Sequence, residues 1–294
     1  MRLSDFTDVQ PIQKGWSSDR KFRVTRPDGS LCLLRTAPAG QYERKKAEYE
    51  WMERVAALGV PIARPLEFGL CGEEVCTLLT WVEGEDAEPA VARMSGKEAV
   101  AYGRTAGEYL RRIHTLPAPA EQEDWEPRMG RKIDRKIAMY RGCPEQFDGA
   151  EDMIAYLQAN RSLLAGRPQC FQHGDYHVGN LMMENGRLVV IDFNRFDFGD
   201  PWEEFNRIVW CAQISPPFAS GMVDGYFGGE PPRLFWRLLA LYIASNTLSS
   251  LPWAVAFGQA EIDTMRNQAR EVLSWYDRMT RVVPRWYSRT EAGR

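Results

Sequence analysis

Three polar residues in the second half of the chain have the types and the spacing that phosphoryl transfer requires. Asp175 stands in the segment HGDYHVGN (173–180), which ends in Asn180, and Asp192 stands in IDFN (191–194). Transfer of a phosphoryl group from ATP uses one carboxylate to orient the attacking hydroxyl, and an amide oxygen with a second carboxylate to hold magnesium. The sequence therefore predicts Asp175 as the catalytic base, and Asn180 and Asp192 as magnesium ligands.

The residues around Asp192 predict how these side chains come together. Residues 187–191 (RLVVI) are typical of a buried strand, and ENGR (184–187) is typical of a tight hairpin turn. Asp192 should therefore lie at the end of a strand, facing the loop that carries Asp175 and Asn180. The alternative is a hairpin whose polar residues only cap turns, but seven specified positions in two linked blocks favour the catalytic interpretation.

These two blocks resemble the signature of the aminoglycoside phosphotransferase and choline kinase family, which has a protein-kinase-like fold. The resemblance implies a two-lobed α+β structure with a small β-rich N-terminal lobe and a larger, mostly helical C-terminal lobe. It assigns residues 1–81 to nucleotide binding and residues 82–294 to catalysis and substrate binding. It also implies an enzyme that uses ATP and Mg to phosphorylate a hydroxyl group of a small molecule.

The order of predicted elements agrees with this fold class. The first eighty residues contain short β-type runs, a hairpin turn at PDG (27–29) and a helix from about 41 to 58. A capping box at SGKE (95–98) begins a helix that ends before Pro117. Further helices are expected near 128–141, 150–164, 202–213, 231–250 and 259–283. Strands first and helices later favour an α+β protein.

Composition excludes several classes of protein. A net charge of −3 is not the basic footprint of a nucleic-acid-binding domain. We find no uninterrupted apolar stretch long enough for a membrane span and no basic, apolar signal peptide at the N-terminus. The six cysteines form no Cys-x-x-Cys pair, so we expect reduced thiols and a cytoplasmic protein. The sequence does not indicate the oligomeric state.

The N-terminal region supplies candidate contacts to the phosphates of the nucleotide. Ser17 and Ser18 lie where kinase-like folds place a phosphate loop, although the segment has one glycine and could be an ordinary hairpin turn. Arg35 lies where many kinases carry a strand lysine, and a guanidinium also binds phosphate. The alternative is a solvated arginine at a strand end.

The resemblance implies further contacts on the nucleotide side. Glu48 precedes the turn Gly-Val-Pro (59–61) at the distance seen for the helix glutamate that anchors the strand cation, with Glu43 and Glu50 as competitors. Residues 75–81 are expected to form the hinge strand, where backbone groups of Thr80 and Val82 would contact adenine.

Acidic residues near the catalytic segment suggest the kind of acceptor. Between Asp192 and Glu204 there are five acids and one arginine, a local charge of −4. Such a surface favours a cationic acceptor such as an amine-bearing sugar, with Asp197, Glu203 and Glu204 as tentative contacts. Alternatively, Asp200 and Glu204 cap the helix that begins near residue 201.

Several acceptors remain open at this stage, with an aminoglycoside-type antibiotic favoured. Aromatic residues of the C-terminal helices could bind a choline-like ammonium, although aromatic residues at helical spacing are more often part of the core. Sugars, amino alcohols and an inactive nucleotide-binding relative are further alternatives.

The spacing after Asp192 favours a small-molecule kinase over a protein kinase. Too few residues separate Asp192 from Glu204 for the activation segment that a protein kinase needs. Asn194 stands where relatives often carry a second aspartate, which leaves its role undetermined.

Overall fold

Two compact units make up the computed structural model, which describes residues 3–13 and 19–289. Unit 1 comprises Met1–Ala90, His173–Asp175 and Gly179–Phe196, and unit 2 comprises Val91–Gln172, Tyr176–Val178 and Asp197–Arg294. The segments that carry Asp175, Asn180 and Asp192 thus pack with the N-terminal strands. The functional division of the chain after residue 81 remains a prediction.

Unit 1 contains a five-stranded antiparallel sheet with the order β1-β2-β3-β5-β4. Its strands are β1 Asp8–Ile12, β2 Arg20–Thr25, β3 Leu31–Pro38, β4 Pro65–Cys71 and β5 Glu74–Thr80. The predicted turn joins β2 to β3, with Gly29 at a φ of 85° that glycine adopts easily. This short connection sets the register in which Lys21 lies directly opposite Arg35.

The alternation of side chains along β3 separates two environments. Cys32 and Leu34 point into an apolar cluster with Val24, Cys76 and Leu78. Arg35 follows Leu34, so its side chain leaves the opposite face of the sheet. Helix α1, Tyr42–Ala57, contacts β4 and β5.

A second, three-stranded sheet in unit 1 ends next to Asp192. It has the order β6-β8-β9, with β6 Glu85–Asp86, β8 Leu181–Glu184 and β9 Arg187–Val190. Asn185 and Gly186 join β8 to β9 with φ values of 50° and 74°, as expected for an Asn-Gly type I′ turn. Val190 donates its N–H to the carbonyl oxygen of Pro61 at 2.8 Å. This bond ties β9 to the N-terminal strand region.

Unit 2 is mostly helical. The short α2, Ala87–Ala92, precedes its main helices, and a two-stranded sheet is formed by β7 Cys170–Gln172 and β10 Asp197–Gly199. The main helices are α3 Gly96–Ile113, α4 Trp125–Arg141, α5 Ala150–Asn160, α6 Ile208–Ile214, α7 Pro216–Phe227, α8 Arg233–Val255 and α9 Gln259–Trp275. The α+β class predicted from the sequence is confirmed.

Helices α3 and α7 pack backbone against backbone through glycines. A Cβ on Gly107 of α3 would lie 2.0 Å from the carbonyl oxygen of Met222, and one on Gly225 of α7 would lie 2.1 Å from that of Arg104. Gly103 and Gly221 show equally short approaches. Only glycine permits this distance between the two helix axes.

The structure corrects the sequence-based prediction in the C-terminal third. Helix α7 was not predicted, and residues 203–207 form a 3-10 turn ahead of α6 rather than one helix over 202–213. Helix α8 continues to Val255 although Pro252 lies within it. Helix α9 ends at Trp275, eight residues before the predicted end at 283.

Helix α8 is long and apolar enough to cross a membrane, alone among the helices of the described chain. In its most apolar window, 67% is buried inside the protein. It contacts α4, α5 and α9. Apolar residues all round a helix are also typical of a core helix, and the packing of α8 fits that explanation.

Candidate active site

The loop that carries Asp175 is joined to the end of β9 through the ring of His173. The ring is fully buried, and its Nε2 lies 2.9 Å from the carbonyl oxygen of Ile191. Because a carbonyl can only accept, Nε2 carries the hydrogen, and Nδ1 accepts from the backbone N–H of Asp175 at 3.3 Å. A neutral imidazole therefore links the backbone of Asp175 to the residue that precedes Asp192.

Gly174 lets this loop approach residues 195 and 196. Its φ is 84°, and a Cβ at this position would lie 1.9 Å from the carbonyl oxygen of Arg195. A side chain would collide with backbone, so the position requires glycine.

Asn180 closes the same loop. Its Nδ2 donates to the carbonyl oxygen of Asp175 at 2.8 Å, and its own carbonyl oxygen accepts from the N–H of Ile191 at 3.1 Å. The carboxylate of Asp175 is 18% exposed and lies 3.8 Å from Nη1 of Arg195. The structure thus brings the predicted base, the predicted amide ligand and the start of the 191–194 segment into one hydrogen-bonded group.

Asp192 lies directly after β9 in a left-handed backbone conformation, with φ 65° and ψ 67°. Few residues other than glycine adopt this region, and aspartate is among those that do. Its carboxylate is 28% exposed, and Oδ1 lies 3.3 Å from Nη1 of Arg35. Helix α1 supports the following turn, because Arg44 donates to the carbonyl oxygen of Asn194 at 3.1 Å.

Arg35 is the centre of a buried charge cluster. Its guanidinium lies 2.7 Å from Asp19 and 3.2 Å from Glu48, in addition to its contact with Asp192. Burial disfavours the charged form, but Glu48, Asp192 and Asp19 outweigh it and raise the pKa of Arg35. A solvated strand-end arginine is therefore excluded.

Of the three candidate glutamates on α1, Glu48 is the one that faces this cluster. Its Oε1 lies 3.2 Å from Arg35, and its Oε2 accepts from Nζ of Lys45 at 3.0 Å. Glu43 and Glu50 are exposed.

Lys45 and Asp19 complete the cluster, and neither was predicted from the sequence. Both are buried, and Nζ of Lys45 donates to Oδ2 of Asp19 at 2.6 Å. The position of Lys45 one helical turn before Glu48 was a usable signal, since residues three apart share a helix face. Asp19 gave no such signal, because it lies in an irregular segment.

Lys21 is a further cation on this face that the sequence did not reveal. It lies directly opposite Arg35 in the sheet, and residues so paired point to the same side. Partial burial lowers the pKa of Lys21, while the nearby charge of Asp192 acts in the opposite direction. Within residues 3–13 and 19–289, no carboxylate forms an ion pair with Lys21.

The remaining predicted nucleotide contacts are placed as follows. Ser17 and Ser18 lie outside the described residues. The backbone N–H of Thr80 donates to the carbonyl oxygen of Arg64 at 2.9 Å, so this amide is engaged within unit 1. Val82 is buried just beyond the end of β5.

The acidic residues predicted to attract a cationic acceptor are mostly paired within unit 2. Asp200 is fully buried, with Arg167 at 2.7 Å and the hydroxyl of Tyr242 at 2.6 Å. Glu203 lies 3.3 Å from Lys132, and buried Glu204 lies 3.1 Å from the ring of His114.

Asp197 differs from these acids in its exposure. Its side chain is 58% exposed, and the nearest guanidinium, that of Arg128, lies 3.9 Å away. Asp197 is therefore the most accessible of the three tentative substrate contacts.

The donor set of the predicted magnesium site consists of one carboxylate and one amide. Because Nδ2 of Asn180 is used as a donor, Oδ1 is the amide atom able to ligate a cation. Together with Asp192, this suits a hard ion that takes most of its ligands from phosphates and water. No group of three or more acidic, histidine or cysteine side chains that could hold a metal occurs among the residues described.

A protein-family model matches most of the chain. Residues 8–236 match the model of the phosphotransferase enzyme family. The chain belongs to this family. The resemblance of the two sequence blocks predicted this membership, and the family model confirms it.

Similar proteins act on small molecules. This phosphotransferase is 33% identical over 84 residues to a glucosamine kinase of Streptacidiphilus jiangxiensis, a match that covers 28% of the chain and 19% of that kinase. A choline/ethanolamine kinase family protein from Mesorhizobium loti has a TM-score of 0.67 at 17% identity, covering 94% and 92% of the two chains. A thermostable mutant of the aminoglycoside phosphotransferase APH(4)-Ia, in complex with ADP and hygromycin B, has a TM-score of 0.67 at 16% identity, covering 92% and 95%.

Proposed function

We propose that this phosphotransferase transfers the γ-phosphoryl group of ATP, with magnesium, to a hydroxyl group of an amino sugar, either free or within an aminoglycoside antibiotic. The proposal rests on the hydrogen bonds that hold the loop of Asp175. His173 bonds both to the backbone of Asp175 and to Ile191, the residue before Asp192, and Asn180 bonds to the backbone of Asp175. The ADP complex of the structurally similar APH(4)-Ia supports the use of ATP.

Asp175 is assigned to the acceptor hydroxyl. Its partly exposed carboxylate would accept the hydroxyl proton as the oxygen attacks the γ-phosphorus and the bond to the leaving ADP breaks. Because His173 and Asn180 hold its backbone on both sides, the carboxylate needs little reorganisation on binding.

Asn180 and Asp192 are assigned to magnesium, which when bound neutralises charge on the phosphates. The contact of Arg35 with Asp192 orients this carboxylate, so Arg35 acts as a positioning residue. Most of its donors are directed at three carboxylates, an arrangement that leaves it little capacity for a phosphate.

Lys21 is better suited to bind a phosphate. Its side chain is partly buried on the same face of the sheet as Arg35, and the charge of Asp192 affects its pKa. In the described part of the chain, Lys21 forms no ion pair. The phosphates of ATP would supply the missing anion. Ser17, Ser18 and the backbone near Thr80 and Val82 remain proposed contacts to the phosphates and to adenine.

An amine-bearing acceptor is favoured by the glucosamine kinase to which the chain is similar. Asp197 is the acidic side chain best placed to meet such an amine, because it is 58% exposed and its contact with Arg128 is long, at 3.9 Å. Asp200, Glu203 and Glu204 have basic partners at 3.3 Å or closer. None of the six cysteines, all within the described residues, forms a disulfide, and a reducing cytoplasm would keep them as thiols.

The proposal is tested by following ATP consumption and acceptor phosphorylation with glucosamine, a panel of aminoglycosides, choline and ethanolamine. We expect transfer to at least one amino sugar and its loss when magnesium is chelated. Transfer to choline but to no amino sugar would overturn the acceptor. ATP binding without transfer to any acceptor would identify an inactive nucleotide-binding relative.

A further inference from the structure

A cavity of about 460 Å³ in unit 2 has an unusually basic wall. Its volume is within the range of small-molecule sites. Four of its seven lining residues are cations on one face of α4, and the others are two buried apolar residues and Asp197. The lining consists of Trp125, Arg128, Met129, Arg131, Lys132, Arg135 and Asp197.

The positive charge of this wall is only partly balanced. Arg131 pairs with exposed Glu123, and Lys132 lies 3.3 Å from Glu203. Arg128 lies 3.9 Å from Asp197 and also donates to the carbonyl oxygen of Phe198. Among described residues, Arg135 has no ion-pair partner. The protein as a whole has a net charge of −3, so this basic surface is a local feature.

Lys136, one residue further along α4, lies close enough to these cations for their charges to affect its pKa. Burial, with the nearby charges of Lys132, Arg207 and Arg135 adding to it and that of Glu203 opposing it, lowers the pKa of Lys136 to about 7. Cations three and four residues apart on a helix repel one another. A bound anion would relieve that repulsion.

We propose that this cavity binds an anionic group, a carboxylate or a phosphate, carried by the hydroxyl acceptor. The proposal rests on the proposed kinase function and narrows its substrate class to acidic amino sugars. Arginine binds both anions through paired hydrogen bonds. Asp197, on the same wall, would meet the amine.

The test compares three acceptors that differ in one group: glucosamine, glucosamine 6-phosphate and muramic acid. Binding to the full chain is measured by calorimetry, with inorganic phosphate as a fourth ligand. We expect one or both acidic sugars to bind at least tenfold more tightly than glucosamine and than phosphate. The double variant Arg131→Gln/Arg135→Gln should lose this preference and bind glucosamine as before.

The matched control is Lys46→Gln/Arg112→Gln, which removes two exposed charges on other helices and should keep the preference. Equal binding of acidic and neutral sugars, or a preference that survives in the α4 variant, would overturn the proposal. Phosphate binding as tight as that of the acidic sugars would show a free-anion site instead.

Transfer assays with the same ligands separate this proposal from the kinase function. Phosphorylation of glucosamine without any preference for acids would leave the function intact and remove the anion site. Tighter binding of the acidic sugars without transfer to any of the three sugars would support the anion site and contradict the kinase function.

Discussion

At the residue scale, three cations of unit 1 lie near the carboxylates of the candidate site: Arg35, Lys45 and Lys21. The structure shows Arg35 in contact with three carboxylates and Lys45 sharing two of them. The electrostatic tasks are therefore divided, with Arg35 and Lys45 organising the carboxylates and Lys21 facing the nucleotide in our proposal.

We expect Lys21→Gln to raise the KM for ATP by about 10- to 100-fold, since a hydrogen bond to a charged group contributes about 1.5–3 kcal/mol. Turnover at saturating ATP should fall less. Steady-state kinetics with varied ATP provide the measurement. Lys46→Gln, which removes an exposed lysine of α1, is the control. Equal KM values for the Lys21 variant and the control would remove Lys21 from phosphate binding.

Replacing Arg35 should affect stability as well as activity. Arg35→Ala leaves Asp19 and Glu48 buried with Lys45 as their remaining cation. Removal of one partner from a buried ion pair costs about 3–5 kcal/mol, and Lys45 should keep the loss near the lower end. Urea unfolding measures it. A loss below about 1 kcal/mol, as for a surface ion pair, would contradict the central position of Arg35.

The residues that sequence analysis identified and those it missed differ in a physical respect. Asp175, Asn180, Asp192 and Glu48 stand at fixed positions relative to turns and strand ends, and these local features are readable in the sequence. Lys21 gains its position from strand register and Asp19 from contacts across the fold. Such long-range pairings leave no periodic pattern.

At the element scale, the contact between α3 and α7 shows why one helix escaped prediction. Two prolines at its start and two glycines within it give the segment 216–227 the composition of a loop. The glycines are retained because the neighbouring backbone occupies the space a side chain would need. Tertiary packing here overrides low helix propensity.

We expect Gly107→Ala to destabilise the protein by about 1–3 kcal/mol, because its Cβ would lie 2.0 Å from the carbonyl oxygen of Met222. The control is Gly130→Ala in α4, where nothing lies within 4 Å. It should stabilise the protein by up to about 1 kcal/mol through helix propensity. Urea unfolding of both variants gives the comparison. If the two substitutions changed the free energy of unfolding by the same amount, α3 and α7 could move apart to accept a side chain without loss of stability.

Lys136 on α4 should make stability depend on pH. Its pKa in the folded protein is about 7, below the ordinary value of 10.5. Between these values the unfolded chain binds more protons, so the free energy of unfolding rises with pH, and the full penalty applies below pH 7. Lys136→Met should lack this rise between pH 7 and 9.5 in urea unfolding. If the free energies of unfolding of wild type and Lys136→Met changed with pH in the same way, the low pKa of Lys136 would be contradicted.

At the scale of the whole molecule, the α+β class and the family followed from the sequence, whereas the acceptor did not. The five acids from Asp192 to Glu204 suggested a cationic acceptor, but three of them, Asp200, Glu203 and Glu204, have basic partners at 3.3 Å or closer within unit 2. A local count of charges omits these partners, because Arg167, Lys132 and His114 are distant in sequence. The basic cavity on α4 was missed for the same reason, since its position beside Asp197 depends on the fold.

The proposed kinase function depends most directly on the role of Asp175. The decisive measurement compares wild type and Asp175→Asn in magnesium-dependent phosphorylation of a responsive acceptor, with ATP binding measured in parallel by calorimetry. We expect turnover to fall by about 10²- to 10⁴-fold, as for loss of a general base, with the dissociation constant for ATP nearly unchanged. Near-normal turnover in the variant would contradict the assignment of this loop as the catalytic centre.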